Sequence, residues 1–123
     1  MDKVVHFEVP FDDAQRAHTF YREAFGWQLQ SMPEMSYTLV TTTPTGDKGP
    51  TEPGGINGGM LKRQGPIASP VITIGVEDLD DSLARVEKLG GSVALGRQTV
   101  GDMGFSAYIT DTEGNLIGLW QNA

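Results

Sequence analysis

Val4-Val5-His6-Phe7-Glu8-Val9 leads through Asp12-Asp13 into a helical stretch ending Ala24-Phe25-Gly26, and Trp27-Gln28-Leu29 follows. Val71 to Val76 leads through Glu77-Asp78 into a second helical stretch ending Lys88-Leu89-Gly90, and Gly91-Ser92-Val93-Ala94-Leu95 follows. Both run the same course: strand, acidic cap, helix, glycine, strand. A repeat of about sixty residues means that one structural unit is used twice. Paired units with curved sheets are expected to leave a cleft, and any chemistry is to be sought there.

The first copy begins with a strand whose side chains alternate, so Val5, Phe7 and Val9 share one face and Val4, His6 and Glu8 the other. Pro10 ends it. Asp12 reads as the cap of the following helix, with Gln15 placed for a capping box. Ala14, Ala17, Phe20, Tyr21, Ala24 and Phe25 give that helix one apolar stripe, and Gly26 suits a left-handed residue past its end. Tyr37 to Thr41 is β-branched and aromatic, hence a strand. The Pro- and Gly-rich stretch Thr42 to Gly55 reads as a long exposed loop, and Ile56 to Leu61 as a short strand. In the second copy a helix over about Asp80 to Leu89 carries Leu83, Val86 and Leu89. Phe105 to Thr110 and Leu116 to Gln121 form a hairpin around Asp111-Thr112-Glu113-Gly114-Asn115. Each copy is therefore expected to be β-α-β-β-β. The expected fold is α+β, built of two βαβββ modules in a single domain over 1–123. Module 1 covers about 1–61, a linker 62–70, and module 2 about 71–123.

Composition excludes several functions. The chain carries 16 acidic and 9 basic residues, a formal charge of -7, with no Lys/Arg cluster, so neither nucleic acid nor an anionic membrane is an expected partner. The absence of Cys removes disulfides, thiolate ligands and Cys nucleophiles. No apolar run is long enough to span a bilayer and the N-terminus shows no signal-peptide pattern, so a cytoplasmic location is expected.

Phe20-Tyr21-Arg22-Glu23-Ala24-Phe25-Gly26-Trp27, the Gly54-Gly55-Ile56-Asn57-Gly58-Gly59-Met60 segment and the terminal Asp111 to Trp120 stretch appear in that order on the internal repeat. In this the chain resembles the vicinal oxygen chelate superfamily of glyoxalase I, bleomycin-resistance proteins and extradiol dioxygenases. The glycine-rich segment is similar to its glyoxalase-related subgroup. The resemblance implies incomplete barrels around a pocket and a homodimer. It also implies four metal-ligand positions, which fall on His6, on Asn57 or Gly58, on Val71 and on Gly118. Valine and glycine offer no donor atom, so no metal and no other cofactor is expected.

The candidate site follows. His6 and Glu8 emerge on one strand face, which the resemblance makes the pocket side. They are either an acid–base pair, Glu8 raising the His6 pKa, or lining residues. Asn57 among its glycines either meets a ligand or makes a local turn bond. Trp120, two residues past Gly118, either stacks on a flat ligand or fills the cavity, and Tyr37, Phe105 and Tyr108 are further aromatic candidates. His18 is expected to face water. The first functional reading is a metal-independent binder of a small organic molecule, of bleomycin-resistance type. The second is a metal-free lyase- or isomerase-like enzyme using His6 and Glu8. The third is an interaction module with a closed cleft.

Overall fold

In the computed structural model, which describes residues 1–123, the repeat read from the sequence emerges as a βαβββ course in each half, with a small hairpin added to the first. The fold is α+β. Two compact units are formed, one of His6–Pro70 and one of Val71–Ala123 together with Met1–Val5.

The His6–Pro70 unit contains most of β1 (Val4–Phe11), α1 (Ala14–Phe25), β2 (Gln28–Met32), β3 (Tyr37–Thr41), the hairpin β4 (Thr45–Gly46) and β5 (Gly49–Pro50), and β6 (Gly58–Lys62). Its sheet runs in the order β2-β3-β6-β1. β3 is antiparallel to both neighbours, and β6 runs parallel to β1. The register aligns Leu39, Gly59 and Glu8 across three strands, so these three share a face with His6 and Tyr37, two residues along their strands. The opposite face carries Val40, Gly58 and Phe7 in one row and Thr38, Met60 and Val9 in the next. Val40 and Met60 are fully buried there, each removal from water being worth about 1.5–3 kcal/mol.

α1 lies on that second face. His18 Nε2 and Thr38 Oγ1 are 3.0 Å apart, and Tyr21 stacks on Trp27, which packs against Phe7. His18 is thus half-buried rather than solvent-facing, because the helix sets it over Thr38 beside the Phe11 ring. Asp13, not Asp12, caps the helix, its carboxylate accepting from Arg16 N at 2.9 Å, and no capping box with Gln15 is formed. Gly26 ends it in the left-handed conformation at φ 72°. The apolar stripe is only partly used. His18 reaches the sheet at Thr38 and Tyr21 reaches it through Trp27, whereas Phe20 packs edge-on against Tyr21 and Phe25, and Phe20 and Phe25 stay 57% and 63% exposed.

The Thr42 to Gly55 stretch departs from its expected irregularity. β4 and β5 pair within it, Thr51 N donates to Pro44 O, and Thr42 Oγ1 donates to Ile56 O. Threonine hydroxyls supply the partners that a Pro- and Gly-rich backbone lacks.

The second unit contains β7 (Val71–Gly75), α2 (Leu79–Lys88), β8 (Ser92–Val100), β9 (Gly104–Thr110) and β10 (Leu116–Asn122), in the sheet order β7-β10-β9-β8. Asp78 caps α2, accepting from Asp81 N at 3.0 Å. Leu79, Ala107, Ile109 and Leu119 form the core, joined by Leu83, Val86 and Phe105. Leu89 lies past the helix end and is exposed, so the stripe stops one turn earlier than its periodicity predicts. The Asp111 turn closes as expected, its carboxylate accepting from the Asn115 side-chain amide and from the backbone of Asn115 and Glu113, and these bonds, the Asn115 side chain first, hold its pKa below the usual carboxylate value.

Candidate functional site

The face of the His6–Pro70 sheet opposite α1 carries a chain of three side chains. Tyr37 Oη donates to Glu8 Oε2 at 2.7 Å, and His6 Nε2 lies 2.8 Å from the same phenolic oxygen. β1 supplies His6 and Glu8 by its two-residue alternation, and β3 delivers Tyr37 at its first position, just after the tight turn Pro33–Met35. β6 lies between them and contributes no side chain at Gly59. A Cβ there would coincide with the Tyr37 phenol, so glycine is what allows the ring to lie across the strand and reach Glu8.

The hydrogen bonds determine the proton positions. A phenol has one hydrogen, and it is given to Glu8, so the phenolic oxygen accepts from His6 Nε2–H. Burial pushes the His6 pKa down, and the nearby Glu8 carboxylate opposes this without overcoming it. Glu8 thus acts on the His6 pKa in the expected direction, but removal from water outweighs the charge and the net shift is downward. His6 is neutral at pH 7, with its hydrogen on Nε2 and a lone pair on Nδ1. Glu8 is among the few buried polar residues of the chain, 6% exposed. A carboxylate is placed so deep only where it is well bonded.

Asn57 serves the adjacent loop. Its Oδ1 accepts from Thr42 N at 2.9 Å and its Nδ2 donates to Thr45 Oγ1 at 2.7 Å, tying the start of the β4–β5 segment to the entry of β6. Trp120 and Phe105 belong to the other unit. Trp120 is half-buried over Gly104, and its Nε1 donates to Asn122 Oδ1 at 2.8 Å. Phe105 packs on the core of that unit, with the Arg97 guanidinium 4.0 Å above its ring. Within the His6–Pro70 unit the structure thus brings His6, Glu8 and Tyr37 together, and it gives Asn57 separate partners. Neither the role of Gly59 nor the bridging of Glu8 and His6 by Tyr37 follows from the sequence alone. The signal was present in the adjacent glycines opposite a Tyr-led strand, but only the register shows which glycine faces the phenol.

The metal chemistry of the resembling family does not fit these residues. No three His, Cys, Asp or Glu side chains come together in a way that could hold an ion. Val71 is buried and has no donor atom, and a Cβ on Gly118 would come 2.7 Å from Thr73 Oγ1, so that position has no room for a ligating side chain.

Residues 3–43 match the model of the bleomycin resistance protein-like N-terminal family. Over 115 residues the chain is 30% identical to proteins named "Putative glyoxylase CFP32" from Mycobacterium bovis and Mycobacterium tuberculosis, covering 89% of this chain and 41% of theirs. The chain therefore spans about two-fifths of the length of these relatives. Among solved structures, the fold is similar to a glyoxalase/bleomycin resistance protein/dioxygenase superfamily member from Vibrio splendidus, at 16% identity and a TM-score of 0.65, with 100% of each chain covered. It is also similar to a methylmalonyl-CoA epimerase in complex with methylmalonyl-CoA, at 17% identity and a TM-score of 0.70, covering 100% of this chain and 96% of that one. The ordered motifs, the family match over β1 to β3, the curated relatives and the shared fold bear out the resemblance of this chain to the vicinal oxygen chelate superfamily.

Proposed function

We propose that the face of the His6–Pro70 sheet opposite α1 binds a small organic molecule without a metal, with His6 and Glu8 as its polar anchors. The observation that carries this reading is the Glu8–Tyr37–His6 chain: a buried carboxylate, a phenol and a neutral imidazole converging on the face opposite α1. Buried polar networks are costly unless fully bonded, and functional sites are where proteins keep them. His6 Nδ1 is an acceptor, so the ligand brings an N–H or O–H donor to it. The net charge of -7 favours neutral or cationic molecules over polyanions.

A second reading is a metal-free enzyme of lyase or isomerase type, and the lowered His6 pKa favours it. A neutral imidazole at pH 7 is competent to accept a proton from a substrate carbon or hydroxyl. In that case Nδ1 takes the proton, Nε2–H stays on Tyr37, and Glu8 steadies the resulting imidazolium through the phenol. A fold neighbour, methylmalonyl-CoA epimerase, holds an acyl thioester in its complex, which makes thioesters a sensible first substrate class to assay. A homodimer, expected from the resemblance, and a cytoplasmic location remain part of the same proposal.

A thermal-shift screen of small molecules against the wild type and His6→Ala tests the binding reading. A compound at one hundred times its Kd adds roughly 2.7 kcal/mol, worth several degrees in Tm for a chain of this size. Shifts that disappear in His6→Ala support the site. Shifts that survive it, or none across a broad library, contradict it and favour a closed interaction module. Glu8→Gln separates the two readings: lost binding fits a binder, whereas retained binding with lost turnover fits an enzyme.

A further inference from the structure

We propose that Asn57 is a self-modification site, converted through Gly58 to aspartate and isoaspartate, and that the β4–β5 segment sets the rate by holding its amide. Of the three asparagines in the chain, Asn57, Asn115 and Asn122, only Asn57 is followed by glycine. A residue without a Cβ leaves its backbone nitrogen open to the preceding side chain and free to turn toward it. Neither member of the pair is replaceable. A Cβ on Gly58 would come 2.7 Å from the Phe7 ring, so packing demands glycine there. Asn57 is equally committed, because Oδ1 accepts from Thr42 N at 2.9 Å and Nδ2 donates to Thr45 Oγ1 at 2.7 Å. The fold keeps a chemically labile pair because each member is needed where it stands.

The reaction needs only water. Gly58 N loses its proton to solvent and attacks Asn57 Cγ; the N–Cγ bond forms, the Cγ–Nδ2 bond breaks, and Nδ2 takes up a proton and leaves as ammonia. Water then opens the cyclic imide. Attack at Cγ gives aspartate on an unchanged backbone, and attack at the Asn57 main-chain carbonyl gives isoaspartate, in which the chain runs through Cγ. Two restraints oppose ring closure in the folded protein. Gly58 is buried at the start of β6, paired with Phe7 on one side and Val40 on the other, and the amide is engaged by Thr42 and Thr45. The amide restraint is the one that a surface fluctuation releases, because Thr45 lies in the exposed β4–β5 hairpin. The change is one-way. The new carboxylate has no hydrogen to give Thr45 Oγ1 and adds a negative charge to a chain already at -7. Isoaspartate also adds a carbon atom to the main chain just before β6, shifting that strand where Gly59 receives the Tyr37 ring.

The test incubates the full chain as wild type, Thr45→Val and Thr45→Ser in mildly alkaline buffer. Mass spectrometry of the tryptic peptide 49–62 then follows aspartate and isoaspartate at position 57. Asn57 is expected to convert ahead of Asn115 and Asn122 in the same sample. Thr45→Val should convert Asn57 about two- to tenfold faster than the wild type, the factor that one lost hydrogen bond supplies. Thr45→Ser keeps the hydroxyl and should match the wild type. Conversion of Asn57 no faster than that of the other two asparagines overturns the site, and equal rates in wild type and Thr45→Val overturn its control by the segment. Where Thr45→Val does not fold, the wild type decides the second point: slower conversion in the native chain than in urea supports the restraint, and equal rates overturn it. The converted protein, separated by its added charge on an anion-exchange column, is expected to show displaced Tyr37 and His6 NMR signals. Spectra that superimpose on those of the unconverted protein overturn the effect on β6.

Discussion

The phenol of Tyr37 occupies the space that a side chain on Gly59 would need. One strand therefore gives up its side chain so that its neighbour can reach across it to a third. Without the glycine, Glu8 on β1 and Tyr37 on β3 would be held apart by whatever β6 placed between them.

Gly59→Ala is accordingly expected to expel the Tyr37 ring. Overpacking of this kind costs about 1–3 kcal/mol, measurable by urea denaturation. The diagnostic sign is at His6, whose pKa should rise toward the unperturbed value as its surroundings open to water. A variant with wild-type stability and an unchanged His6 titration would contradict the packing described.

Tyr37→Phe keeps the ring and removes the oxygen that serves both partners. Hydrogen bonds to charged groups contribute about 1.5–3 kcal/mol each, and a loss within that range is expected. Phe7→Tyr, on the opposite face, provides a comparison that leaves the chain of bonds untouched. Denaturation curves superimposing on the wild type would show that the phenol oxygen does not matter to the fold.

The pH dependence follows from the lowered pKa values of both histidines. An unfolded histidine titrates near about 6.5, and the folded ones bind a proton less readily. Between the two values the unfolded chain holds more protons, so stability is level above the unfolded pKa and declines as pH falls below it. The decline ends once pH passes the folded values. For His6 burial is the main cause and Glu8 opposes it; for His18 burial leads and the Arg22 charge adds to it. His6→Asn should remove part of the slope and His18→Asn another part. A slope of the opposite sign would mean that a charged His6 is stabilised by Glu8.

Asn57→Ala should free the β4–β5 segment while leaving both sheets folded. The lost side-chain bonds to Thr42 and Thr45 are worth about 0.5–1.5 kcal/mol each at most. Trypsin should then cut at Lys48 faster than in the wild type, and cleavage at Arg22 or Arg85 inside the helices should stay slow. Equal rates at Lys48 would mean that the threonine bonds and the β4–β5 pairing hold the segment without Asn57.

Much of this molecule was legible beforehand, for physical reasons. Strand alternation put His6 and Glu8 on one face, and the acidic cap, helix and glycine order marked both copies of βαβββ. Tyr37 to Thr41 was bounded correctly because β-branched residues flanked by turn residues leave little choice. The failures share a cause. Asp12 against Asp13 as the cap, the hairpin inside Thr42 to Gly55, and His18 over Thr38 all depend on which of several polar groups finds a partner in three dimensions. The upward pull of Glu8 on His6 is legible in the sequence, whereas the burial that outweighs it is not, because charge is visible in a sequence and depth of burial is not.

The most direct test of the proposed site is the nitrogen NMR spectrum of His6 at pH 7, before and after addition of a compound that raises Tm. The free protein should show a neutral ring protonated at Nε2, and the compound should shift Nδ1 while Glu8→Gln or His6→Ala abolishes the stabilisation. A charged imidazolium, a hydrogen on Nδ1, or a Tm increase that leaves both His6 nitrogens unmoved would contradict it.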